Sequence, residues 1–140
     1  MSDDGFEHIV SYTRAQAIED GVLVDVTELH PDEIDGKPVP MARQAGLLYP
    51  VALTREAWET VVALSPAAEK AGNDEKGRLW DVLWMLTAHV RTHGQAGTQV
   101  SYDLLVVRKK IEPTMTRLKA VFGPGDDGKP VVTIMMPGED

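Results

Sequence analysis

The residues best suited to chemistry in this chain fall in one heptapeptide, AHVRTHG, residues 88–94. His89 and His93 are four residues apart, so on a helix both imidazoles project from one face and could grip one metal ion. Such an ion would activate a water, which makes a small metal-dependent hydrolase one function class to weigh. The pattern departs from the metalloprotease signature at the decisive place. Val90, not glutamate, follows the first histidine, so the general base of H-E-x-x-H is absent. A third ligand would have to come from His30, His8 or a loop carboxylate. The same histidines flank an apolar stripe beside Val82 and Leu86, and a cation near a helix C-terminus is favoured by the macrodipole. The expectation is therefore a helix edge reaching water rather than a metal site.

Other chemistry is sparse. GPGDDG, residues 123–128, lacks the lysine–serine ending of a phosphate loop, and Asp126 and Asp127 would repel phosphate. It also lacks the alternating carboxylates of a calcium loop, so a β-turn is expected. Ser11, Ser65 and Ser101 have no glycine pattern that would make a nucleophile elbow. The chain has no cysteine, which excludes disulfides, thiolate zinc sites and thiol catalysis, and suits a reducing cytoplasm. No cofactor is implied, and the balance falls against an enzyme.

Charge is the next signal. The 140 residues carry a net charge of −8, and it is unevenly placed. Residues 1–35 hold ten acids against one base, Arg14, and the remainder is close to neutral. Direct nucleic-acid binding needs a basic stripe, and the only run is Arg108-Lys109-Lys110 with Arg117 and Lys119 nearby. No nucleic-acid partner is expected. An acidic surface keeps a protein soluble, but a concentrated acidic lobe can also dock a basic partner. The residues expected to do so are Asp25, Glu28, Asp32, Glu33 and Asp35, helped by the loop over 29–40. The opening MSDDGFEHIV is acidic and has no apolar run, so no signal peptide is expected, and no stretch is long and apolar enough for a membrane span.

These groups must be positioned by a modest set of elements. Thr13 followed by Gln16 is a capping-box pattern for a short helix, and Gly21 suits its end. VLVDVT, 22–27, reads as a strand. ELHPDEIDGKPVP, 28–40, reads as a long loop whose prolines forbid a regular element. MARQAG reads as one helical turn. LLYPVAL, 47–53, is extended, and Pro50 should hold it to a sheet edge or outside the sheet. Thr54 caps a helix over 55–64, which Ser65-Pro66 stops. The long helix runs from Glu75 to His93, with Asp74 as N-cap and Gly94 after its end. After it, Val100, Tyr102, Leu104 and Val106 mark a strand. The segments 115–122 and 131–136, joined by a Gly/Pro/Asp-Gly linker, mark a hairpin. The expectation is one α+β domain over 1–140 with a short acidic tail over about 1–8. Its core would be an antiparallel sheet of about four strands, with a C-terminal β-hairpin, packed against two or three helices.

The long helix is apolar on two sides. Leu79, Leu83, Leu86 and Val90 make the core stripe, while Trp80 and Trp84 fall on a second face with Arg91 near it. Either another element covers that strip, with the helix carrying Trp58 as one option, or the strip meets a partner. Two indoles and an arginine have the composition of an interface hot spot. A homodimer in which these helices meet, with Arg91 stacked near the rings, is the expected form.

Four segments together, SYTRAQAIEDGVLVDVT, GLLYPVALTREAWE, GRLWDVLWML and LKAVFGPGDDGKPVVTIMMPGED, resemble a family of uncharacterised proteins of about this length, met in bacterial genomes and on plasmids and phages. The resemblance spans most of the chain, from Ser11 to Asp140, and carries no catalytic residues with it. It implies an intracellular accessory protein linked to mobile elements. Taken with the acidic lobe, the expected function is a small acidic, cytoplasmic protein that acts by binding another protein, directed at mobile elements or host defence. The rival is the hydrolase using His89 and His93.

Overall fold

A computed structural model describes residues 12–140; the acidic tail expected over about 1–8 lies outside the described residues. The chain opens with helix α1, Arg14–Glu19. Its start is a reciprocal capping box: Thr13 Oγ1 accepts from the Gln16 amide at 3.0 Å, and Gln16 Oε1 accepts from the Thr13 amide at 2.9 Å. Strand β1, Leu23–Asp25, follows. Next come β2, Asp32–Ile34, and β3, Lys37–Val39, then the short helix α2, Met41–Gln44. Strand β4, Val51–Thr54, runs into α3, Arg55–Val61. Helix α4, Pro66–Lys70, and the long α5, Glu75–His93, lead to β5, Gln99–Val106. Strands β6, Thr114–Pro124, and β7, Pro130–Met135, close the chain.

The α+β class holds, but the sheet differs from the expectation. It has five strands in the order β1-β4-β7-β6-β5 and is mixed, because β4 runs parallel to β7 while every other pair is antiparallel. The hairpin β6–β7 pairs from Lys119↔Met135 to Pro124↔Pro130, and β5 adds to its other side over eight residues. Along β5 the buried positions are Val100, Tyr102, Leu104 and Val106, the alternation of a sheet with one face on the core.

Three local expectations are corrected. First, 47–53 is not marginal: β4 lies between β1 and β7, and all four of its residues are buried. Pro50 stands one residue before the strand, where no amide is required, and its carbonyl accepts from Val132 at 2.8 Å. The Val51 amide is satisfied by Thr27 Oγ1 at 3.0 Å. Second, the stretch read as an irregular loop folds into the ribbon β2–β3. Its turn is Asp35-Gly36, both with positive φ, 52° and 77°, the geometry of a two-residue hairpin turn. In that geometry the closing pair Ile34↔Lys37 exchanges hydrogen bonds and the next pair, Glu33↔Pro38, does not. Pro38 therefore gives up nothing. Third, α3 ends at Val61, short of the expected 64, and Ser65-Pro66 instead starts α4: Ser65 Oγ accepts from the Ala68 amide at 3.1 Å, with proline at the first helical position.

The core sits between α5 and the sheet. Leu79, Val82, Leu83 and Leu86 of α5 are fully buried against Val51, Leu53, Leu118, Ala120, Val132 and Ile134. Two polar anchors cross this layer. Tyr102 on β5, 2% exposed, donates its hydroxyl to the Val82 carbonyl at 3.0 Å. Arg78, 6% exposed, spreads its guanidinium over three backbone carbonyls: Val62 at 3.0 Å, Val107 at 2.8 Å and Ala63 at 3.3 Å. It also reaches Asn73 Oδ1 at 3.2 Å.

Candidate interaction site

The residues picked out by sequence do not converge on one point. Asp32, Glu33 and Asp35 stand on the β2–β3 ribbon, where every residue from 31 to 38 is exposed. Asp25 is elsewhere. Its carboxylate accepts from the Thr27 amide at 3.0 Å and hydroxyl at 2.6 Å, and it shares a groove with Arg14 and Asp126. Asp126 in turn accepts from the Arg14 and Ala15 amides at 2.8 and 3.0 Å, which caps α1 from a distant turn. Those two amides hold the Asp126 carboxyl below the ordinary aspartate value. Glu28 is exposed between these two regions. The acidic lobe thus divides into a structural part around Asp25 and an exposed part on the ribbon.

The base of the ribbon meets the N-terminal end of α5. A groove of about 320 Å³ there is lined by Asp32, Met41, Gln44, Asp74, Lys76 and Trp80. The fold therefore brings Asp32 and Trp80, two of the expected interaction residues, to one surface. Trp80 and Trp84 stack in parallel, with centroids 6.1 Å apart and planes 3° from each other. Arg91 lies over the far ring, its guanidinium carbon 5.5 Å from the Trp84 centroid, a cation–π contact. Trp84 keeps 38% of its surface exposed and Trp80 is half-buried.

His89 and His93 do share a face, with ring centroids 4.4 Å apart. His93 Nδ1 lies 3.3 Å from the His89 carbonyl oxygen, a hydrogen bond for the tautomer that carries its proton there. Among the described residues no three His, Asp or Glu side chains gather closely enough to hold an ion. His8, one of the expected third ligands, lies outside the described residues. Of the basic run, Arg117 is forked onto Asp103 at 2.8 and 3.1 Å, and Lys119 donates to the Glu139 carbonyl.

A second groove was not legible in the sequence. It lies between the 46–49 loop and the C-terminal half of α5, encloses about 240 Å³, and includes Gly46, Leu47, Thr87, Val90, Arg91 and Phe122. The only local signal is Gly46, whose φ of +100° demands glycine. The helical pattern places Thr87 beside the tryptophan face without saying that it is covered, and it is buried.

These features define a small acidic α+β domain with an exposed acidic ribbon beside an aromatic strip. A model of the family of unknown function DUF6573 matches residues 3–140, and the chain belongs to that family. No curated protein and no solved structure matches it. Among the described residues no helix is long and apolar enough to cross a membrane.

Proposed function

We propose that the protein is a non-enzymatic accessory protein that docks a basic surface of another macromolecule, with the β2–β3 ribbon as its docking element. The observation that carries this is the ribbon itself. It presents Asp32, Glu33 and Asp35 to solvent, and none of them forms an ion pair among the described residues. An isolated two-stranded ribbon is marginal in water, and clustered like charge makes it more so. A partner whose own nucleic-acid site is basic, such as a replication or defence component met by a mobile element, fits this surface. Trp80 at the ribbon's base supplies an aromatic anchor next to the charges. Among the described residues no third ligand joins His89 and His93.

The test is the triple change Asp32→Asn, Glu33→Gln and Asp35→Asn. Asparagine at 35 keeps a residue that tolerates the positive φ of the turn. The stability should move by no more than about 0.5 kcal/mol, because these are surface positions. A partner that co-purifies with the tagged chain at low salt should be released as salt is raised, and lost from the triple variant. Equal retention by parent and variant at low salt overturns the reading.

A second observation favours self-association. Beside the part-exposed Trp84, Met85 is also exposed, and Met85 shares a groove with exposed Leu105 and Met115. We propose that a second copy covers this surface around α5. Light scattering at tens of micromolar should report a dimer for the parent chain. Trp84→Ser should give a folded monomer, because Leu79, Leu83 and Leu86 still bury the opposite face. A monomeric parent, or an unchanged dimer in the variant, overturns this.

A further inference from the structure

We propose that the groove between the 46–49 loop and α5 binds a small molecule that joins an apolar body to a carboxylate, a site independent of the acidic ribbon. Three separate features point there. Thr87 lines the groove, and its hydroxyl, buried within a residue that is 7% exposed, has no hydrogen-bond partner among the described residues. A buried hydroxyl without a partner is costly, and such groups are rare unless something else satisfies them. Gly46 lets the loop backbone pack directly onto that side chain. A Cβ there would lie 2.9 Å from Thr87 Cγ2, 3.4 Å from its Oγ1 and 3.5 Å from an Arg91 guanidinium nitrogen. Arg91 has no carboxylate within ion-pair distance among the described residues, and its guanidinium lies over the face of Trp84.

The walls select the body of the ligand. Leu47, Leu86, Val90 and Phe122 line the groove, and all four belong to the core or pack against it. Apolar walls with a few convergent polar groups are the usual make-up of a small-molecule site. The volume, about 240 Å³, suits one ring with a short acid group rather than a larger compound. The polar end is set by Arg91, and by the Thr87 hydroxyl once the loop at Gly46 yields to the ligand. A planar carboxylate can take the fork of the guanidinium and still accept from a hydroxyl. A phosphate would be poorly neutralised by a single arginine.

Benzoate is the probe, with benzamide as its neutral counterpart. On titration the amides of Gly46, Thr87 and Arg91 should shift together and saturate with benzoate, and benzamide should bind at least about tenfold more weakly. Thr87→Val replaces an unpartnered hydroxyl with a methyl, so its melting temperature should equal or exceed that of the parent, while its benzoate affinity falls about tenfold. Arg91→Gln should erase the preference for benzoate over benzamide, with retained melting confirming the fold. The absence of shifts at these three amides overturns the proposal. So does equal binding of the two probes to the parent, or parent-like benzoate affinity in Thr87→Val.

Discussion

Replacing Arg78 with leucine should lower the unfolding free energy by about 3–5 kcal/mol, measured as a shift of the urea midpoint. The arginine sits in the first turns of α5, yet its partners are the Val62 and Ala63 carbonyls at the end of α3 and the Val107 carbonyl just past β5. Helix ends leave carbonyls without intrahelical partners, and α3 uses a side chain from another helix to satisfy them. Leucine fills the same space but leaves several buried acceptors bare, each costing about 1–3 kcal/mol. Burial pulls the guanidinium below its ordinary value, and the nearby Asp81 and Glu75 carboxylates oppose that, so it stays charged. Arg78→Lys should recover only part of the loss, because an ammonium cannot span three carbonyls that a planar fork reaches at once. A loss under about 1 kcal/mol for the leucine variant would show that these bonds do not tie the layers together.

The second large effect is expected at Tyr102 and depends on pH. Its hydroxyl is buried and donates to the Val82 carbonyl, and burial raises the phenol above its ordinary value of 10.0. The folded state therefore holds this proton more tightly than the unfolded state. The stabilisation is fully present below pH 10 and is lost as pH rises above the unfolded value, at about 1.4 kcal/mol per pH unit. Tyr102→Phe should be less stable than the parent by about 1 kcal/mol at neutral pH, for the lost hydrogen bond. Near pH 11 the order should narrow or reverse, since phenylalanine has no proton to lose. Tyr102→Ala should cost about 3–5 kcal/mol at neutral pH, as a large side chain deleted from the core, and its gap to the parent should narrow in the same way at alkaline pH. Urea unfolding at neutral and alkaline pH separates the terms. Parallel pH profiles for parent and Tyr102→Phe would rule out the buried phenol as the source of alkaline sensitivity.

The parts of this fold that were legible in the sequence are those encoded by neighbours along the chain. Asp74 and Gly94 bound α5 as expected, and the helix spans Glu75–His93. The Thr13/Gln16 box, the alternation along β5 and the β6–β7 hairpin were legible for the same reason: a cap, a period of two and a Gly-rich turn act within a few residues. The helix face carrying Trp80, Trp84 and Arg91 was also legible, because 100° per residue places them together without reference to the rest of the fold. Prolines misled where their cost depends on register. Pro38 and Pro50 each removed an amide that the actual pairing did not need, and only knowledge of the partner strand says which amides are needed.

What tertiary structure alone decided is the fate of polar groups whose partners are far away in sequence. Arg78 reads locally as one more exposed helix cation, and its carbonyl partners lie 15 to 29 residues away. Asp126 reads as a turn residue, but it caps a helix more than a hundred residues earlier. Asp25 and Asp32 read as one acidic run, and the sheet sends them to different grooves. Thr87 and Arg91 gain their environment only when the loop at Gly46 closes over α5. Periodicity reports which side of an element is apolar. The satisfaction of a buried donor or acceptor is set by which elements pack together, and that depends on contacts between residues the chain keeps far apart.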